Sequence, residues 1–180
     1  MKEIYIVRHC QATGQSPDAE LTITGQQQAE ELKVFFHDRQ IDRILSSPFL
    51  RAKQTIEPLA EKIGITVEVD ERLSERVLST TSLEDWQDKL KATFDDPDLY
   101  FPGGESSRQA MDRISQVIEE IRSSEAEHAI IVAHGNIISL LLKKYQVSFG
   151  FDEWQALTNP DVYRLRETPD GFSVERIWVR

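Results

Sequence analysis

Residues 4–15 read I-Y-I-V-R-H-C-Q-A-T-G-Q, and the fold turns on this stretch. Ile4, Tyr5, Ile6 and Val7 form a short apolar run rich in β-branched and aromatic residues, the composition of a strand buried on both faces. The run stops at Arg8-His9, and the turn-forming pair Thr13-Gly14 follows. A guanidinium and an imidazole therefore close a buried strand. In open α/β sheets that carboxyl edge is where ligands bind. Alone, the dipeptide fits a salt-bridged surface arginine beside a half-buried histidine better, because short motifs match often by accident.

Two further strand ends carry the same chemistry. Ala129 to Ala133 is a second buried run and ends at His134-Gly135. Ile41 to Leu45 is a third; it ends at Ser46-Ser47-Pro48, with Arg51 just beyond. Together the three ends deliver two His, two Arg and two Ser, backed by helix N-termini, which are the ingredients of a phosphate cradle. These elements resemble the histidine phosphatase superfamily, the phosphoglycerate mutase-like family. The resemblance is carried by R-H-C at 8–10, L-T-I-T-G-Q-Q-Q-A at 21–29 and S-S-P-F-L-R-A-K-Q-T at 46–55. It continues through L-S-E-R at 73–76, P-G-G-E-S at 102–106 and V-A-H-G-N at 132–136, in the family's order.

A chain of 180 residues is long enough for one domain with a substantial core. Its 39% hydrophobic and 29% charged content places it among ordinary globular proteins. Apolar runs such as Ile137 to Leu142 are too short to span a bilayer, and no basic-then-apolar leader precedes the first strand. One cysteine excludes an intramolecular disulfide framework, so a reducing, cytoplasmic setting is expected. With 21 basic against 31 acidic residues the net charge is −10, which argues against nucleic acid or an anionic membrane as partner. A small anionic substrate remains compatible, because a local Arg/His cluster can be attractive inside an acidic shell.

Taken in order, Leu21-Thr22 leads into a helix reaching about Phe36, with Ala29, Leu32, Val34, Phe35 and Phe36 as its apolar side. Thr24 and Gln27 have the spacing of a capping box. Ser47-Pro48 reads as cap and first residue of a helix that stops at Gly64, with Arg51 one turn in. Thr66 to Val69 is a strand, and 70–76 a polar loop. Residues 77–104 form an irregular excursion expected to wall and roof the substrate site. Within it Leu83, Trp86, Leu90 and Phe94 recur at helical spacing and are expected in the core. Ser106 caps a helix to about Ile121, His128 to Ala133 is a strand, and Gly135 opens a buried helix to about Tyr145. Polarity alternates around Pro169-Asp170-Gly171, the signature of a hairpin. The expected architecture is a single domain over 1–180: a three-layer α/β/α sandwich with a mainly parallel central sheet and antiparallel edge strands.

Phosphoryl transfer needs a nucleophile, donors for the equatorial oxygens and a proton for the leaving group. A neutral imidazole can attack phosphorus without a metal, giving a phosphohistidine that water hydrolyses. His9 is the candidate, and the resemblance implies the same role, because the family's nucleophile is the histidine of its R-H-G motif. Arg8, Arg51 and His134 are the expected oxyanion ligands, with Gly135 at a helix start and Gln15 as further phosphate contacts. The resemblance carries the proton donor onto Glu75, which would need burial near apolar groups or other carboxylates to hold a proton. Glu105 competes for that role. His37 and His128 are expected to be structural. No cluster has metal-ligand spacing, so neither metal nor cofactor is expected.

The chain departs from the family pattern at Cys10, where Gly is usual, and at Gln11-Ala12, which replace Glu-Thr or Glu-Ser. The family's G-x-W-E-G segment is replaced by V-L-S-T-T-S. Cys10 is expected to be a packed, inert thiol rather than a reactive one. These substitutions bear on specificity. The expected activity is metal-independent hydrolysis of a small phosphorylated metabolite. Set beside it are a cofactor-dependent phosphoglycerate mutase, a protein phosphohistidine phosphatase and a non-catalytic module that binds phosphate esters.

Overall fold

The computed structural model describes residues 1–179. Six strands form one sheet: β1 (Glu3–Arg8), β2 (Arg43–Ser46), β3 (Val67–Val69), β4 (His128–Ala133), β5 (Asp161–Thr168) and β6 (Gly171–Arg176), in the order β3-β2-β4-β1-β5-β6. The first four run parallel, whereas β5 is antiparallel to both β1 and β6. The expected mainly parallel sheet with an antiparallel end is what is found. β5 lies inside the sheet rather than at its margin, because β1 takes its second edge.

β1 sits between β4 and β5, which explains why its apolar run does not alternate. Ile4 and Ile6 face the core packed beneath α4 (Ser107–Ser123) and α5 (Gly135–Tyr145). Tyr5 and Val7 face the opposite core, beneath α1 (Ile23–Phe35) and α2 (Leu50–Ile63). Helices thus cover both faces, and the C-terminal ends of β1, β2 and β4 reach one edge together.

Several boundaries differ from the expectation for local reasons. Thr22, not Thr24, caps α1, its hydroxyl accepting from Gly25 N–H. Val34 is 70% exposed, since the buried stripe runs through Gln28, Ala29 and Leu32. α2 begins at Leu50 instead of Pro48, with Phe49 as a cap without a side-chain bond, although Ser47 Oγ does accept from Phe49 N–H at 3.2 Å. Ser106 does cap α4, in a reciprocal box with Gln109.

The 77–104 excursion is more regular than expected. It contains α3 (Trp86–Asp95), and its ends are tied together by Thr80 N–H to Pro102 O (3.0 Å) and Glu105 N–H to Val77 O (2.9 Å). A methyl group on Gly104 would lie 2.1 Å from Leu78 O, so the two ends of the loop meet only because this residue has no side chain. Leu90 and Phe94 are buried as expected, but Trp86 is 45% exposed. A short helix, α6 (Phe151–Gln155), and a single 3-10 turn (Glu71–Leu73) carry too little periodicity to be seen in sequence.

Candidate active site

His9 follows the last residue of β1, and Ser47 and His134 follow β2 and β4 directly, so sheet register alone brings them together. The His9 and His134 rings lie 5.2 Å apart, centroid to centroid. Both are enclosed, His9 at 7% exposure and His134 at 0%.

The protons on these rings can be assigned from their partners. His9 Nδ1 is 2.7 Å from Cys10 O, which can only accept, so Nδ1 carries the hydrogen and Nε2 the lone pair. Arg51 Nε donates to that lone pair at 3.2 Å. Burial lowers the His9 pKa to about 4, with Arg51 and Arg8 adding to the shift and the Cys10 bond opposing it. The imidazole is therefore neutral at physiological pH. Ser47 Oγ accepts from Phe49 N–H at 3.2 Å and lies 2.7 Å from His134 Nε2; with the hydroxyl as donor, the ring proton is on Nδ1. Burial first, then the neighbouring cations, pushes the His134 pKa down to about 2.

The arginines are held by main-chain oxygens. Arg51 gives Nη1 to Gln15 O (3.1 Å) and Ser16 O (2.9 Å), and Arg8 gives Nη1 to Leu157 O (3.1 Å) and Thr158 O (3.4 Å). Both are lowered in pKa by burial, partly offset by the Glu75 carboxylate. A Cβ on Gly135 would sit 3.1 Å from Arg8 Nη2, so this glycine leaves room for the guanidinium against the helix start.

Arg8, Gln15, Glu75, Arg76, Gly135 and Asn136 line a cleft of about 420 Å³. Three buried polar atoms have no hydrogen-bond partner in the protein: Arg8 Nε and Asn136 Nδ2, on residues that line the cleft, and His134 Nδ1, on an enclosed ring that does not line it. Each can donate. Buried polar groups are nearly always paired, so three orphaned donors on neighbouring residues describe a receptacle for an oxygen-rich anion. Asn136 was not singled out from sequence as a ligand, although it closes the V-A-H-G-N motif. Ser47, read from sequence as part of the phosphate cradle and as a helix cap, meets a ring 87 residues along the chain.

Glu75 is in the cleft, but not in the setting expected. Instead of apolar groups or carboxylates it meets N–H donors: Arg76 N (2.7 Å) and Ile137 N (2.9 Å) on Oε1, and Asn136 N (3.0 Å) on Oε2. The reason is that the loop after the 3-10 turn runs into the N-terminus of α5, whose amides need an acceptor. Glu105 is instead clamped by Arg113 at 2.9 and 3.0 Å. Gln15 is exposed at the rim. Cys10 is fully buried, its N–H bonded to Thr55 Oγ1 at 2.8 Å. His37 and His128 lie away from the cleft, beside Asp38 and Asp42. Among the described residues no group of three or more His, Cys, Asp or Glu is placed to hold a metal ion. Nor is any helix among them long and apolar enough to cross a membrane.

The family model of the histidine phosphatase superfamily (branch 1) matches residues 4–179. The chain belongs to the histidine phosphatase superfamily. Among superfamily members, a Hydrogenobacter thermophilus protein assigned by name as phosphoserine phosphatase 2 is 29% identical over 79% of this chain and 77% of its own length. An Escherichia coli O1:K1 protein named as the phosphoglycerate mutase GpmB is 30% identical over 79% of this chain and 74% of its own. The solved structure of mycobacterial glucosyl-3-phosphoglycerate phosphatase with inorganic phosphate superposes with a TM-score of 0.76 at 26% identity, covering 99% of this chain and 96% of that one. Superfamily relatives of this chain are thus named phosphatases or a mutase.

Proposed function

We propose that this chain is a metal-independent phosphomonoesterase acting on a small phosphorylated metabolite through a phosphohistidine on His9. The observation that carries the reading is the set of orphaned donors on Arg8, His134 and Asn136 beside a neutral imidazole whose lone pair is on Nε2. The substrate phosphoryl group displaces Arg51 Nε from His9 Nε2 and takes Arg8, Arg51, His134 and Asn136 as oxygen ligands, with Gly135 and Gln15 at the helix start and rim. The Nε2 lone pair forms a bond to phosphorus as the ester P–O bond breaks. Cys10 O holds the Nδ1 proton and steadies the charge that develops on the ring. Glu75 is the acid: its carboxyl gives a proton to the departing alkoxide and recovers one from the water that hydrolyses the phosphohistidine. Glu105, its carboxylate clasped by Arg113, takes no part in this reading. The whole chain acts as one domain in this reading, in the cytoplasm, with residues 77–104 covering the site.

His9→Ala and Glu75→Gln test the assignment, with p-nitrophenyl phosphate and an alkyl phosphate as substrates. His9→Ala is expected to abolish turnover and phosphoenzyme labelling with both. Glu75→Gln is expected to cost about 100-fold or more on the alkyl ester and far less on p-nitrophenolate, which leaves without a proton. Hydrolysis at the wild-type rate by His9→Ala ends the reading. The likeness to a protein named as a phosphoglycerate mutase favours one alternative, transfer between the hydroxyls of phosphoglycerate. Assay of 3-phosphoglycerate with and without 2,3-bisphosphoglycerate separates it: hydrolysis is expected, and bisphosphate-dependent isomerisation would replace it.

A further inference from the structure

We propose that the outer half of the cleft, walled by Leu78, Trp86, Leu90 and Trp154, is a leaving-group subsite selecting phosphate esters of apolar, aromatic alcohols over those bearing a carboxylate. The inference rests on the phosphomonoesterase reading for the identity of the inner half, where Arg8 and Gly135 lie. The same hollow runs continuously from those residues to the two tryptophans.

Trp86 and Trp154 meet edge to face, ring centroids 6.3 Å apart, one from α3 and the other from α6. Behind Trp154 stands Phe151 at 5.3 Å, and behind Phe151 stands Phe94 at 6.3 Å. This stack connects to the main core, so the wall is rigid and its inner members are fixed. Trp86 nevertheless leaves 45% of its surface exposed, at a position where its helix buries Leu90 and Phe94. An exposed indole at the mouth of a pocket can gain by covering a flat, apolar group.

The cations that line the cleft, Arg8 and Arg76, are already committed. Arg76 is buried and donates Nε and Nη2 to Glu105 O at 3.1 and 2.9 Å, while Nη1 faces Thr93, Ser107 and Asn136 at 3.4–3.5 Å. Arg8 belongs to the phosphate end. A carboxylate on the alcohol would enter beside indole rings, lose its water and find no uncommitted cation among the described residues that line the cleft, which is costly. The segment that supplies Leu78 and Trp86 is also where the sequence departs from the family pattern, at 77–82.

The test compares esters whose alcohols leave with similar difficulty: 2-phenylethyl phosphate, glycerol 3-phosphate and phosphoserine. Wild-type kcat/KM is expected to be at least about tenfold higher for the phenylethyl ester. Trp86→Ala and Trp154→Ala should raise its KM about tenfold while changing glycerol 3-phosphate less than about twofold, and Trp154→Phe should recover most of the loss. A preference for phosphoserine, or equal losses on all three esters, overturns the subsite. Calorimetric binding of 2-phenylethylphosphonate against 3-carboxypropylphosphonate tests it without turnover. Tighter binding of the aromatic phosphonate, with no ester hydrolysed, would sink the esterase reading and sustain the subsite. Tighter binding of the carboxylate would sink the subsite alone.

Discussion

Gly135 occupies the junction between β4 and α5, and the Arg8 guanidinium is packed against it. A methyl group there would meet Nη2, Cζ and Nε at 3.1–3.2 Å, and Arg8 cannot simply retreat, because Nη1 is anchored to the carbonyls of Leu157 and Thr158. Gly135→Ala is therefore expected to misplace a phosphate ligand by a few tenths of an ångström without unfolding the chain. The outcome should be a kcat/KM lowered by about tenfold or more with a thermal midpoint near wild type, measured by steady-state kinetics and calorimetry. His134 illustrates the same dependence on a neighbour. Its side chain was legible as a ligand from the motif, but its contact with Ser47, which sequence presents as a cradle residue and a helix cap, was not. A cap position is recognised by local spacing, whereas a hydrogen bond to a ring on another strand leaves no local trace.

Among the elements, the loop at 70–76 is the one whose position was least legible. It carries Glu75, and Arg113 from α4 is one of the side chains that hold it. Arg113 donates Nη1 to Arg72 O (2.6 Å) and Ser74 O (2.9 Å), and clasps the Glu105 carboxylate as well. Arg113→Met keeps the packing stem but leaves those acceptors without a partner. The expected cost is about 2 kcal/mol in urea unfolding, with kcat on alkyl phosphates falling more than kcat on p-nitrophenyl phosphate. Equal falls on both substrates would mean that Arg113 does not act by positioning Glu75. α3 is the opposite case. Its apolar spacing was readable, and two of its residues are in the core as that spacing implies, but Trp86 faces the cleft. Periodicity reports one buried stripe; it does not say whether the end of the stripe overruns the core into a pocket.

Across the whole molecule, two histidines are buried uncharged at the end of the sheet, and this makes stability depend on pH. Below about 6.5 the unfolded chain takes up protons at both rings, while the folded chain resists until about 4 at His9 and about 2 at His134. The unfolded state then binds more protons, so stability is complete above about pH 6.5 and is lost as pH falls. By pH 5 the loss is about 2 kcal/mol per ring. Urea titrations at pH 7 and pH 5 on wild type and His134→Gln should show a smaller drop in the variant; equal drops would exclude the ring as a source. The amino-acid sequence alone determined the buried β1, the parallel sheet with its hairpin, the bounds of α4 and α5, and the family, because burial period, capping residues and motif order are properties of neighbours along the chain. Only the tertiary structure decided that Glu75 rests on the amides of α5, that Ser47 meets the His134 ring, and that Trp86 and Trp154 share a wall. Those contacts join residues 62, 87 and 68 positions apart, and at such distances pairing is set by how helices seat on a sheet rather than by what precedes or follows each residue.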